Sequence, residues 1–158
     1  MIKVLFVCLG NICRSPAAEA VMVKMLKDHG LDNSISCDSA GTSGYHSGHP
    51  ADSRMRRAAK DRDIHITSMS RQIRKKDLVD FDYIIAMDES NFYDIKNLDR
   101  EQAHGEKITQ LKDYCVNHSI TGVPDPYYGG ESSFYNVLNI LEDGCMGLLK
   151  KIQQDKGL

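Results

Sequence analysis

The chain has 158 residues, and its 20 lysine and arginine side chains against 22 aspartate and glutamate leave a formal net charge of −2. This length suits one domain, residues 1–158, with an ample core, and the balanced charge does not indicate a nucleic-acid-binding protein. No apolar run approaches the roughly 20 residues that span a bilayer, so we expect neither a membrane-spanning nor a targeting segment. Five scattered cysteines, an odd number, favour a reduced, cytoplasmic setting.

The first elements of the chain are a strand, a loop and a helix. Residues 2–7 form an apolar run rich in β-branched side chains, which predicts a strand. The run leads directly into Cys8 and a five-residue loop. Pro16 suits the first turn of a helix, where its missing N–H is not needed, and good helix formers continue over residues 17–27. Cys8 therefore begins a turn that ends at a helix N-terminus.

This placement gives the loop its chemistry. A loop over a helix N-terminus points several backbone N–H groups into one concavity, where the helix dipole favours negative charge. Arg14 adds a permanently charged fork that matches two phosphate oxygens. The same field favours the thiolate of Cys8, a nucleophile for phosphorus, and Ser15 can donate a hydrogen bond to it. Gly10 and Asn11 are the residue types that most easily take left-handed backbone angles. The predicted phosphate-binding residues are Leu9, Gly10, Asn11, Ile12 and Cys13.

Strands and helices alternate along the rest of the chain. The patterns predict a strand over 34–39, an exposed loop over 42–50, a helix over 50–63, a buried strand over 83–87, a helix over 88–98, a fourth strand over 107–111 and a last helix that includes 134–152. The basic residues within 54–62 and 71–76 are interpreted as solvated surface. Alternation of this kind predicts a single α/β domain, with a central four-stranded parallel sheet, helices on both faces and the phosphate-binding loop after the first strand. Ligands bind at the carboxyl edge of such sheets, and the connection 112–124 would return Asp125 there.

Two motifs together identify a family. Cys8 to Ser15 reads Cys, five residues, Arg, Ser, and residues 125–129 read Asp-Pro-Tyr-Tyr-Gly. With the first motif so near the start, the sequence resembles the low-molecular-weight protein tyrosine phosphatases over nearly its whole length. The resemblance implies hydrolysis of phosphotyrosine and small aryl phosphates through a phosphocysteine, without metal or cofactor. It also implies phosphotyrosine-containing proteins as partners and inhibition by phosphate-like oxyanions, and we expect a monomer.

The resemblance also assigns roles to residues outside the loop. It implies that Asp125 protonates the leaving oxygen and later activates water, and Pro124 and Pro126 limit the movement of its backbone. It implies that Tyr45 and Tyr127 stack on the substrate ring, although an incidental surface position remains open for Tyr45.

Three further residues bear on the loop itself. The resemblance implies that Ser39 braces the loop by a bond to Asn11, although an ordinary serine at a strand end fits equally well. Ser68 stands where the family often has a bracing histidine, which puts that contact in doubt. The resemblance also implies a reversible disulfide between Cys13 and Cys8 under oxidation. Cys13 as a small loop-filling residue is the alternative.

Other functions on this scaffold stay open. Arsenate reductases use a further close pair of cysteines, and Cys115 and Cys145 are far apart in sequence; Cys37 and Cys145 are instead predicted to lie in the core. A protein-arginine phosphatase tends to have threonine where this chain has Ile12. A non-catalytic phosphate-binding module would not need Cys8 and an acid together. His46 and His49 lack the further ligands that a metal site requires.

Overall fold

A parallel sheet forms the centre of the computed structural model, which covers residues 1–158. Its strands are β1 (Ile2–Cys8), β2 (Ile35–Gly41), β3 (Tyr83–Ala86) and β4 (Ile108–Gln110), in the order β2-β1-β3-β4. Its helices are α1 (Arg14–Asp28), α2 (Ser53–Lys60), α3 (Lys75–Asp80), α4 (Glu89–Leu98) and α5 (Glu131–Lys156). The predicted fold class and all four strands are confirmed, with strand ends that differ by one or two residues. No helix combines the length and the apolar character needed to cross a membrane.

Strand β1 is buried on both faces, which explains its unbroken apolar run. Val4 and Phe6 point into the larger part of the core, which α1, α2 and α5 cover. Leu5 and Val7 point into a second cluster on the opposite face, together with residues from α3 and α4. Because β1 lies between β2 and β3, the residue that follows it sits near the middle of the carboxyl edge.

Helix α5 packs closely against the short 3-10 turn at Leu111–Tyr114. A Cβ atom at Gly144 would lie 2.6 Å from the Leu111 side chain, and one at Gly147 would overlap the carbonyl oxygen of Tyr114. These two glycines let the turn approach the helix. The turn begins the segment that returns the chain to the carboxyl edge.

Helix α3 was not predicted, because six residues are too few to show a helical period. The interpretation of residues 71–76 as solvated surface is wrong for Arg71, which is half-buried. Its guanidinium pairs with Asp38 at 3.0 Å and with the buried carboxylate of Asp77 at 2.9 Å. Asp77 also accepts a hydrogen bond from the backbone N–H of Arg74 at 2.8 Å, at the start of α3. Local charge patterning cannot show that a basic run faces buried acids.

Candidate active site

The loop of residues 9–13 joins β1 to α1 at the carboxyl edge of the sheet. Asn11 has a left-handed backbone, with φ +56°, as expected for a tight loop. The same expectation is wrong for Gly10, whose φ is not positive. Helix α1 begins at Arg14, so that Pro16 lies within its first turn. Arg14 and the start of the helix are therefore fixed to the same short loop.

The N–H groups and the carbonyl groups of this loop differ in their hydrogen bonds. The N–H groups of residues 9–15 donate to no other group of the chain. Most of the carbonyl oxygens are held from outside: Cys8 O by Thr42 N at 2.9 Å, Leu9 O by Ser43 N at 2.9 Å, Gly10 O by Ser70 Oγ at 2.9 Å and Ile12 O by Asp52 N at 2.8 Å. A run of free N–H groups at a helix N-terminus is a concave anion-binding site.

Cys8 lies at the base of this concavity and is almost fully buried. Its sulfur is 3.0 Å from the hydroxyl oxygen of Ser15. Asn11 donates from Nδ2 to that same oxygen at 2.8 Å, so the hydroxyl hydrogen of Ser15 has two acceptors within reach, the Cys8 sulfur and the carbonyl oxygen of Ala40 at 3.4 Å. The side chain of Asn11 therefore lies behind the loop and supports Ser15, and only its backbone N–H remains for a bound anion.

The buried guanidinium of Arg14 is held by two acceptors. Its Nη1 donates to Asp88 Oδ2 at 2.6 Å and to the carbonyl oxygen of Val123 at 3.0 Å. Burial lowers the pKa of Arg14, but negative charge at Cys8 and the hydrogen-bonded Asp88 carboxylate raise it more, so the net shift is upward. Asp88 also caps α4 by accepting from Asn91 N at 2.8 Å. The sequence indicated only this helix-starting role, although an acid directly after a buried strand is a signal for the carboxyl edge.

Asp125 reaches the same site from the far end of the chain. Its Oδ2 lies 3.6 Å from Arg14 Nη2, and its Oδ1 accepts a hydrogen bond from the backbone N–H of Tyr127 at 3.1 Å. The side chain is 42 % exposed, so a substrate can reach it. The connection that precedes Asp125 therefore returns to the carboxyl edge, as the alternation of elements predicted.

One pocket of about 450 Å³ joins these groups. Its lining comprises Cys8, Leu9, Gly10, Ile12, Cys13, Arg14, Ser43, Tyr45, His46, Asp125, Tyr127 and Tyr128. Ser43, His46 and Tyr128 were not among the predicted site residues. Tyr45 is 85 % exposed at the rim. The guanidinium of Arg54 lies 5.3 Å from the ring centre of Tyr127 and is fixed by Asp52. Arg54 is exposed, as predicted, and it also supports the wall of the pocket.

The predicted bond between Ser39 and Asn11 is absent. Ser39 is buried and donates instead to Glu19 Oε1 at 2.7 Å. The carbonyl of the Asn11 side chain accepts from the backbone N–H of Arg71 at 3.0 Å. Burial raises the pKa of Glu19, although the hydrogen bond from Ser39 acts in the opposite direction. Residues 70 and 71 thus brace the loop, and no sequence pattern indicated this.

The remaining cysteines lie apart from the catalytic pocket, with one exception. Cys13 lines the pocket but is buried, and burial raises its pKa above the ordinary value of 9.0. Cys145 is fully buried in the core, as predicted, and burial raises its pKa; Cys37 is only partly buried against the same core. Burial also raises the pKa of Cys115, to about 11. Neither Cys115 nor Cys145 lines the pocket, so no pair of cysteines is placed to carry oxidation away from Cys8.

A cysteine and an arginine at the two ends of a loop with free N–H groups, faced by an aspartate, are the groups that a cysteine-dependent phosphatase requires. Comparison with known proteins then gives the family. Residues 3–158 match the low molecular weight phosphotyrosine protein phosphatases. The chain belongs to this family of protein-tyrosine-phosphatases, which are hydrolases.

Individual relatives agree over nearly the full length. The chain is 43 % identical to a putative low molecular weight protein-tyrosine-phosphatase of Synechocystis, over 97 % of the chain and 98 % of the relative. A solved protein tyrosine phosphatase from Entamoeba histolytica, with Hepes in the active site, superposes with a TM-score of 0.96 at 50 % identity, covering 99 % of both chains. A Drosophila arginine phosphatase superposes with a TM-score of 0.89 at 30 % identity, covering 96 % of this chain and 98 % of that one.

Proposed function

We propose that the protein hydrolyses phosphotyrosine through a phosphocysteine on Cys8. The observation that carries this proposal is the position of the Cys8 sulfur. It lies beneath the free N–H groups of the loop, 3.0 Å from the Ser15 hydroxyl, in the one pocket that also contains Arg14 and Asp125. A thiolate, an oxyanion site and a proton donor are the three groups that this reaction requires.

The reaction has two steps. In the first, the Cys8 sulfur attacks phosphorus, a sulfur–phosphorus bond forms, the bond from phosphorus to the tyrosine oxygen breaks, and Asp125 gives its proton to that oxygen. In the second, water attacks phosphorus while Asp125 takes its proton, and the sulfur–phosphorus bond breaks to return the thiolate. The Ser15 hydroxyl stabilises that thiolate by a hydrogen bond. Arg14 and the loop N–H groups hold the equatorial oxygens throughout.

Asp125 must carry a proton when the substrate binds. In the free protein its carboxylate faces Arg14 across 3.6 Å. A bound phosphate would occupy Arg14 in place of Asp125. Substrate binding therefore frees the Asp125 carboxyl to give its proton to the leaving oxygen in the first step.

The substrate class follows from the walls of the pocket. Tyr45 and Tyr127 stand at its mouth, where they can stack on a phenyl ring, and Ile12 adds an apolar wall. The Drosophila arginine phosphatase makes phosphoarginine the second candidate substrate, because it shares this fold at 30 % identity. The apolar Ile12 favours an aryl phosphate over a guanidinium. Proteins that carry phosphotyrosine are accordingly the proposed partners.

The test compares three phosphopeptides, which carry phosphotyrosine, phosphoserine or phosphoarginine. Phosphate release is measured in the presence of a chelator for the wild type, Cys8→Ser and Asp125→Ala. We expect release from phosphotyrosine, none with Cys8→Ser, and a loss of about a hundred- to ten-thousand-fold with Asp125→Ala. Preference for phosphoarginine would establish the second candidate, and Asp125→Ala with an unchanged rate on a poor leaving group would refute the role of the acid.

We also propose that the protein is cytoplasmic, where its cysteines are normally reduced, and that oxidation links Cys13 to Cys8 in a reversible disulfide. Peroxide converts the Cys8 thiolate to a sulfenic acid, the Cys13 sulfur then displaces water from it, and dithiothreitol restores both thiols. All five cysteines are free in the structure, and the raised pKa of Cys13 predicts that the disulfide forms faster as pH rises. After excess peroxide, dithiothreitol should restore the wild type but not Cys13→Ser, in which further peroxide oxidises the Cys8 sulfenic acid to the irreversible sulfinic acid. Equal recovery of both would contradict the disulfide.

A further inference from the structure

Ser70 lies outside the catalytic groups, yet it contacts the phosphate-binding loop. It precedes a short bridge between the chain and the end of β2, in which Gly41 N donates to Arg71 O and Ile73 N donates to Gly41 O, both at 2.8 Å. Ser70 itself is 4 % exposed, and its hydroxyl donates to the carbonyl oxygen of Gly10 at 2.9 Å. The segment that carries Ser70 is therefore fixed to the sheet, and its hydroxyl extends that anchor to the loop.

This contact differs in kind from the others that orient the loop. The carbonyl oxygens of Cys8, Leu9 and Ile12 accept from backbone N–H groups. The carbonyl of Gly10 is held by a side chain alone. It is thus the only one of these four contacts that a change of side chain removes, and it lies at the apex of the loop.

The backbone at this point has an uncommon conformation. Asn11 has φ +56°, a left-handed angle that asparagine tolerates better than other residues with a Cβ. Rotation of the peptide unit between Gly10 and Asn11 would return Asn11 to a negative φ. The same rotation would exchange the positions of the free Asn11 N–H and the Gly10 carbonyl oxygen, and an oxygen in place of that N–H would repel an anion. The hydrogen bond from Ser70 opposes this rotation, because it holds the Gly10 carbonyl oxygen.

We propose that Ser70 is a positioning residue that keeps the loop in its anion-binding conformer by holding the Gly10 carbonyl outward. The side chain of Asn11 acts in the same direction, through its bonds to Ser15 and to the backbone N–H of Arg71. This role deepens the proposed function and rests on it, since phosphate is the anion that the conformer serves. Loss of the hydroxyl should lower the fraction of competent loop, and apparent affinity falls in proportion to that fraction.

The experiment measures inorganic phosphate binding by calorimetry and aryl phosphate turnover for Ser70→Ala, Ser70→Thr and the wild type. We expect Ser70→Ala to weaken phosphate binding and raise KM by up to about tenfold, the limit set by one lost hydrogen bond, with kcat within about twofold. Ser70→Thr, which keeps the hydroxyl, should restore both. Should Ser70→Ala not fold, Ser70→Cys replaces it, with a similar size and a weaker donor.

The control is Thr109→Val. This change on β4 removes a part-buried hydroxyl contact to Tyr114 and does not touch the loop. It should lower thermal stability and leave KM and phosphate affinity unchanged. The proposal would be overturned if Ser70→Ala left the phosphate affinity unaltered. It would also be overturned if kcat fell at constant KM, because that result indicates a smaller folded fraction. Calorimetry measures phosphate binding without turnover. If the wild type binds phosphate but does not hydrolyse aryl phosphates, the proposed function fails, whereas the role of Ser70 can still be measured.

Discussion

Asp88 both holds the Arg14 guanidinium and caps helix α4, and two substitutions separate these contacts. One carboxylate oxygen accepts from Arg14 at 2.6 Å and the other caps α4 through Asn91 N at 2.8 Å. Asp88→Ser keeps a good cap but cannot hold Arg14, whereas Asp88→Ala removes both contacts. A hydrogen bond to a charged group contributes about 1.5–3 kcal/mol, so both variants should lose about ten- to a hundredfold in kcat/KM.

The stabilities of the same variants should differ. Asp88→Ala loses the cap, which stabilises by about 1 kcal/mol, and Asp88→Ser retains it. Urea unfolding gives the difference, and steady-state kinetics on an aryl phosphate give the shared loss. Wild-type kcat/KM in Asp88→Ser would refute the reasoning, because it would show that the carbonyl of Val123, at 3.0 Å from Arg14, suffices to orient the guanidinium.

Two further predictions concern stability. Burial raises the pKa of Glu19 above its ordinary 4.5. The protonated Glu19 carboxyl therefore contributes its full stability below pH 4.5, and this contribution is lost as pH rises through the raised pKa. Glu19→Gln should therefore unfold at a higher temperature than the wild type at pH 7 and at nearly the same temperature at pH 4; an equal gap at both would contradict this. Gly147→Ala should lower the free energy of unfolding, measured in urea, by more than about 3 kcal/mol, because its Cβ would overlap the Tyr114 carbonyl. Gly130→Ala, at the N-cap of α5 with open space around it, should cost no more than about 1 kcal/mol. Similar effects of the two alanines would exclude the close contact as the cause.

Local rules account for the part of the site that is contiguous in sequence. An apolar strand, a loop of five residues and a proline in the first helical turn are enough to place Cys8 and Arg14 on one anion-binding loop. The position of Asp125 could also be predicted, because the alternation of strands and helices fixes the edge of the sheet to which a connection returns. The resemblance to a family then supplied its role as the acid.

The contacts that orient those groups could not be predicted in the same way. Arg14 and Asp88 are 74 positions apart, and Ser70 and Gly10 are 60 apart, so no local period links them. Ser39 illustrates the same limit: its burial fits a structural role, but its hydroxyl meets Glu19 rather than Asn11. The hydrogen-bond partner of a hydroxyl depends on distances to within a few tenths of an ångström and on the direction of the side chain. Sequence patterns specify neither.

The most direct test of the account is the detection of phosphate on Cys8 during turnover. The protein is mixed with an aryl phosphate, quenched within the first turnover and digested, and the peptide that contains Cys8 is analysed by mass spectrometry. The account predicts a phosphorylated Cys8 that is absent from Cys8→Ser. Turnover in the wild type without phosphate on Cys8, or with phosphate on another residue, would contradict it.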